Sequence, residues 1–228
     1  MFLVIFEVHP RQGQWDDYLD NAKMLRPELE RVDGFIDNVR YRSLTRGGWI
    51  LSLSVWRDEK AVVRWRTAMR HHMVQQKGRS EILLNYHLRV GQITHDTRLP
   101  EGYTLQEQRL DETEVGKATT VTVSYVKQPP ESVNRAKSDA IAKWLGLTPD
   151  APGLVTWDVF DAILTPGDTV LLASWKDKAN AESFECNGSL PNGTRLRRVR
   201  VIRDYGMFDR REAPQYYPDV QGATTLHS

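Results

Sequence analysis

Between Trp65 and Arg79 the chain gathers the side chains best suited to chemistry: Trp65, Met69, His71, His72, Gln75, Gln76 and Arg79. A neutral imidazole near pH 7 can accept a proton from a phenolic substrate or ligate haem iron, which makes His71 and His72 catalytic candidates. Trp65 is the third, because a large aromatic beside a cavity can stack on a flat substrate. Gln75, Gln76, Met69 and Arg79 are expected to contact that substrate, Arg79 as a planar fork for a carboxylate or phenolate. Each also has a plainer reading. Val62, Trp65 and Met69 fall at i, i+3 and i+7 and can be ordinary core packing. The two histidines can lie on the surface, and Arg79 can satisfy carbonyls at a helix end.

Helical geometry separates the two histidines. On one uninterrupted helix His72, seven residues after Trp65, shares its face with Gln76, while His71 and Gln75 point elsewhere. A break near Met69 or Arg70 instead turns His71 and Gln75 inward, one turn apart. The sequence leaves both arrangements open. No Asp, Glu or Cys lies one helical turn from either His in the direction needed to complete three ligands, so no metal is expected.

A repeat must position this segment. Gly34-Phe35-Ile36 opens a stretch that ends in Val55-Trp56-Arg57-Asp58, and Gly153-Leu154-Val155 opens another that ends in Ser174-Trp175-Lys176-Asp177. In both, Gly precedes Trp by 22 residues, and Trp precedes a second aromatic, Trp65 or Phe184, by nine. Gap-free spacing of this length points to duplication. Each copy starts with a β-branched, apolar run of strand length, Phe2 to Val8 and Thr119 to Val126. Helical patterns follow: Trp15, Tyr18, Leu19, Ala22, Leu25, Leu29 and Val32 in the first, Val133, Ala136, Ala140, Ile141 and Trp144 in the second. Then come two strands about Gly-containing turns, Thr45 to Gly48 and Thr165 to Asp168. A second helix after each Trp and a closing strand, Leu83 to Ile93 or Leu196 to Ile202, complete the copy. Trp56 and Trp175 are expected to lock strand to helix, and Asn180 to sit on a helix surface.

The order β-α-β-β-α-β is the ferredoxin-like split motif. The fold class is therefore α+β: two tandem ferredoxin-like units whose antiparallel sheets, each bare on one face, pack into an intramolecular α+β barrel. The expected organisation is a first, pocket-bearing unit over 1–96, a linker over 97–116, a second unit over 117–210 and a loose tail over 211–228. The second unit is degenerate. Only twelve residues run from Phe184 to Leu196, against about eighteen from Trp65 to Leu83, so the His, Gln and Arg segment has no counterpart.

Lys plus Arg number 31 and Asp plus Glu 30, so no global field exists to hold nucleic acid or an acidic membrane, and neither is an expected partner. The one basic run, Arg195, Arg197, Arg198, Arg200 and Arg203, alternates with apolar residues and reads as a strand with a solvated face. Cys186 stands alone and cannot form an internal disulfide. No apolar run reaches the roughly 18 residues of a membrane span, and Met1 to Val8 lacks the marks of a signal peptide. A cytoplasmic location is the simplest expectation. Fusing two units removes the need for a dimer without forbidding one, so a monomeric pseudo-dimer or a homodimer is expected.

At Val4-Ile5-Phe6-Glu7-Val8, Leu25-Arg26-Pro27-Glu28-Leu29, Asp33-Gly34-Phe35-Ile36, Leu51 to Glu59 and Trp65-Arg66, the first unit resembles the antibiotic biosynthesis monooxygenase family. His71, Gln75, Gly78 and Arg79 fit its pattern of His, then Gln four on, then Gly-Arg. The second unit resembles it at Val201-Ile202-Arg203-Asp204-Tyr205-Gly206-Met207 and more weakly elsewhere. The resemblance implies the dimeric α+β barrel fold. It also implies a monooxygenase-type oxidoreductase acting on a small flat aromatic or quinol-like substrate without flavin or nicotinamide. The alternative is a haem-binding or haem-degrading barrel, or a non-catalytic one that sequesters a hydrophobic ligand. No Gly-x-Gly-x-x-Gly follows a strand, so no cofactor is the first expectation and haem the alternative. The chain departs from both branches. Ala61 stands where cofactor-free oxygenases have an Asn, Gln75 stands where the haem-degrading branch has a His, and the first strand has no Asn.

Overall fold

The computed structural model describes residues 1–106, 116–130, 133, 137–187 and 190–214. The first half comprises β1 (Phe2–Pro10), α1 (Trp15–Glu30), β2 (Phe35–Ser43), β3 (Ile50–Trp56), α2 (Glu59–Thr67), α3 (Met69–Lys77) and β4 (Leu83–Asp96). A single π-helical turn, Gly78–Ile82, joins α3 to β4. The second half comprises β5 (Thr120–Lys127), α4 (Ser138–Trp144), β6 (Leu154–Ala162), β7 (Asp168–Trp175), α5 (Lys178–Asn187) and β8 (Arg195–Gly206). Among the described residues no helix is long and apolar enough to cross a membrane. Residues 107–115 of the expected linker and 215–228 of the expected tail lie outside the described residues.

The strands run β4-β1-β3-β2 in one half and β8-β5-β7-β6 in the other, and β2 pairs with β6 as β4 pairs with β8. All eight strands thus close into one antiparallel barrel of two ferredoxin-like units. Closure leaves no strand edge unpaired. The face of each sheet that its own helices do not cover turns into the barrel. There Leu3, Ile5, Leu51, Leu53 and Val55 of the first half meet Val121, Val123, Phe160, Leu172 and Val199 of the second. Leu99, Tyr103 and Leu105, beyond β4, pack against the same core. Both faces of each half-sheet are therefore covered, which explains why β1 and β7 read as nearly continuous apolar runs.

The repeat anchors are spaced by contacts within each half. Arg57 N–H donates to the Gly34 carbonyl at 2.8 Å, and Lys176 N–H donates to the Gly153 carbonyl at 2.8 Å. Asp58 caps α2 by accepting from Ala61 N–H at 2.8 Å, and Asp177 accepts likewise from Asn180 N–H at 2.9 Å. Gly34, at φ +89°, lets the helix approach so closely that a Cβ there would lie 2.7 Å from that of Ala61. Gly153 does the same beneath Asn180. Asn180 is therefore no free surface residue: it packs on Gly153 and its amide donates to Asp177 at 2.7 Å.

The basic run lies on a strand, but its arginines do not form a solvated face. β8 is flanked on both sides by β4 and β5, and Arg197 and Arg198 are buried. Arg195 and Arg197 pair with the inaccessible carboxylate of Asp96 at 2.7 and 2.9 Å, while Arg198 pairs with Glu182 and Glu185 of α5. An alternating pattern marks an internal, charge-paired face as readily as a wet one.

At the β2–β6 seam Arg42 lies directly opposite Asp161, and their side chains pair at 2.7 Å. Each stands eight residues after its repeat glycine. Tyr41 faces Ala162 and Ser43 faces Phe160, so the pseudo-two-fold axis passes through this pair.

Candidate functional site

α2 ends at Thr67, whose hydroxyl donates to the Val63 carbonyl at 2.9 Å, a back-bond that competes with continued helix. Ala68 then adopts φ −59°, ψ 127°, and α3 restarts at Met69. This break swings His71 back over Trp65. The two rings stack with centroids 4.2 Å apart and 15° between planes. His71 Nδ1 lies 2.9 Å from the Trp65 carbonyl oxygen. A carbonyl can only accept, so Nδ1 carries the hydrogen and Nε2 is left as the basic nitrogen. Burial pushes the His71 pKa down to about 4, helped by neighbouring His72 and opposed by the hydrogen bond to Trp65. The imidazole is neutral at pH 7.

A cavity of about 550 Å³ lies between the outer face of the first half-sheet and α1, α2 and α3. Trp65, His71, Gln75 and Arg79 line it. His72, Gln76 and Met69 do not; they belong to the exposed face of α3, and Met69 is 81% exposed. The break at Ala68 is the reason, because it uncouples the face of α3 from the Val62–Trp65 stripe of α2. Trp56, beyond its place between sheet and helices, also borders the cavity.

Several lining residues escaped the sequence reading. Asn38, Arg40, Ser52 and Ser54 project from β2 and β3, alternating with Val39, Tyr41, Leu51 and Leu53, which pack in or against the barrel core. Polar residues at every second position of strands that should lie beneath helices were the available signal. Asn38 donates from Nδ2 to Ser52 Oγ and to the Leu53 carbonyl, both at 3.0 Å. Among the described residues its Oδ1 and the Arg40 Nε, both buried, meet no hydrogen-bond partner. Tyr86 of β4 and Arg203, Tyr205 and Arg210 of the second half also reach the cavity. The Tyr86 hydroxyl accepts from Arg79 Nη1 and from Arg210 Nη1, each at 2.5 Å.

Among the described residues, apolar side chains occupy the corresponding space in the second half. Phe184 stacks on Trp175 at 5.2 Å, and Ile141, Leu145, Leu147 and Leu190 pack into the same cluster.

Residues 1–77 match the family model described as antibiotic biosynthesis monooxygenase. Over 223 residues the chain is 50% identical to the Pyricularia oryzae (strain 70-15) protein named jasmonate monooxygenase ABM, covering 96% of this chain and 99% of that one. Among solved structures, an anthrone oxidase-like protein aligns over 90% of this chain and 92% of its own at 11% identity, with a TM-score of 0.33. A Shewanella oneidensis protein aligns over 39% of this chain and 86% of its own at 12% identity, with a TM-score of 0.37.

Proposed function

The chain belongs to the antibiotic biosynthesis monooxygenase family, and from that premise we propose that it is a monooxygenase acting on a small molecule of the jasmonate kind held in the first-half cavity. The observation that carries this reading is a cavity of about 550 Å³ whose wall includes a half-buried, neutral histidine with Nε2 left as a proton acceptor. That volume suits a single small organic molecule. His71 Nε2 takes a proton from the substrate at an acidic O–H or C–H, and the Trp65 carbonyl steadies the imidazolium that results. Gln75 and Arg79 orient polar groups of the substrate, while Val4, Phe6 and Leu88 take its apolar body. The sequence carries no dinucleotide fingerprint for a bound flavin or nicotinamide, so the two electrons that hydroxylation needs come from a reductant in solution, such as a thiol or reduced pyridine nucleotide, and the second oxygen atom leaves as water. The Trp65–His71 stack presents a flat wall, which favours quinol-type aromatics as a second substrate class to try.

The test is conversion of jasmonate under isotopically labelled dioxygen, read by mass spectrometry. It is run with and without a thiol or reduced pyridine nucleotide, since hydroxylating a carbon consumes two electrons that the substrate does not supply. One labelled oxygen atom in the product, lost in His71→Ala with the fold retained, is the expected result. No incorporation into jasmonate or model quinols would sink the proposal. A Soret shift on adding one equivalent of haem, abolished in His71→Ala, would replace it with a haem-binding role.

A further inference from the structure

The strand registers divide the floor of the cavity into a polar and an apolar half. Arg40 lies across from Ser52, Ser52 from Phe6 and Phe6 from Leu88, so these four form one row over β2, β3, β1 and β4. Asn38, Ser54, Val4 and Val90 form the next row. All eight line the cavity, which is therefore polar over β2 and β3 and apolar over β1 and β4. At the spacing of neighbouring strands the two ends of a row stand about 14 Å apart. Asn38 sets the character of the polar half. The Leu53 carbonyl can only accept, which fixes the amide Nδ2 toward it and toward Ser52 Oγ. Ser52, accepting from that amide, keeps its own proton to give. Arg40 supplies the charge. Buried arginines elsewhere in the fold are matched to carboxylates: Arg89 to Glu7, Arg197 to Asp96 and Arg198 to Glu185. The half-buried side chain of Arg40 makes neither a hydrogen bond nor an ion pair with any described residue. Its Nε is enclosed, so the two terminal nitrogens are its accessible donors. A half-buried fork without a carboxylate, beside a hydroxyl with a proton to give, lacks the anion that both would bind.

We propose that Arg40, with the Ser52 hydroxyl beside it, holds the carboxylate of a substrate whose hydrocarbon body lies over β1 and β4. Arg40 is then the residue that selects an acid over its neutral derivatives, and the apolar half of the floor selects a carboxylate with a hydrocarbon body over a small inorganic anion. The subsite deepens the function proposed above and rests on that reading for the identity of its cavity as the substrate site.

Jasmonate and its methyl ester, alike in shape and different in charge, are the first pair of probes; octanoate and octanamide are a second pair with no claim to be substrates. Affinities are measured by calorimetry without dioxygen on the intact protein and on Arg40→Gln, Arg40→Lys and Ser52→Ala. The wild type should bind each acid roughly tenfold or more tighter than its neutral partner. Arg40→Gln should erase most of that preference and leave ester and amide affinity unchanged, Arg40→Lys should keep part of it, and Ser52→Ala should weaken the acids alone. Because the Arg40 side chain has no partner among the described residues to lose, Arg40→Gln should melt no lower than the wild type. Four results would overturn the subsite: no binding of either acid, equal affinity for acid and neutral partner in the wild type, a preference that survives Arg40→Gln, or variants that weaken acid and neutral ligand alike. Octanoate selectivity that depends on Arg40 stands even if jasmonate is neither bound nor oxidised. Conversely, labelled oxygen incorporation with an unchanged KM in Arg40→Gln removes the subsite and leaves the oxygenase standing.

Discussion

Replacing His71 with Phe should remove a specific part of the acid sensitivity of the fold. In the folded protein the imidazole titrates at about 4, against 6.5 for the unfolded reference. Between these values the unfolded chain binds the proton and the folded chain does not, so lowering the pH favours unfolding. The neutral ring costs nothing above pH 6.5; stability falls as pH drops through the window and levels off below 4. The full gap is worth about 3 kcal/mol, of which about 2 kcal/mol is already lost at pH 5. Phe keeps a flat ring for Trp65 to stack on and has nothing to titrate. Urea unfolding at pH 7, 6 and 5, followed by tryptophan fluorescence, should show the variant gaining about 2 kcal/mol on the wild type across that range. Contributions from Glu7, Asp96 and Asp204 cancel in the difference. Burial alone would raise those carboxylates, but their arginine and histidine partners hold them low. Parallel stability curves for the two proteins would refute the burial of His71 and, with it, its assignment as a neutral base.

Two further outcomes follow from packing. Gly34→Ala places a side chain at φ +89° and against Ala61, and should cost about 2 kcal/mol in urea unfolding; Ala61→Gly in the same chain should recover only the contact part. Asp96→Ala leaves Arg197 buried beside Tyr125 without its carboxylate, and should cost about 3 to 5 kcal/mol, read as a lowered Tm.

The repeat was legible because its spacing is set by bonds made inside each half, Gly34 to Arg57 and Gly153 to Lys176, which tolerate no insertion. The barrel-facing residues were legible as apolar runs, and so was the tandem ferredoxin-like plan. The barrel itself was expected from the bare face of each sheet; which strands would close it, β2 against β6 and β4 against β8, was not, because backbone hydrogen bonds carry most of each seam and ask for few particular side chains. The choice between His71 and His72 turned on one backbone angle at Ala68, a residue type that announces no break. Arg210 was beyond reach for a different reason. It arrives from the other half after the chain folds back at Gly206 and Asp209, across more than a hundred residues from Arg79.

Duplication within one chain changes what the axis of the barrel can hold. In an assembly of two identical chains, a residue on the two-fold axis must face its own copy. The place held here by Arg42 and Asp161 would set like charge on like charge. One continuous chain lets the halves take opposite signs where symmetry forbids it. The salt bridge is exposed on the Arg42 side and adds little strength, yet it discriminates. It rewards the pairing of first half with second and penalises either half meeting itself, so the halves have become complementary and are no longer interchangeable.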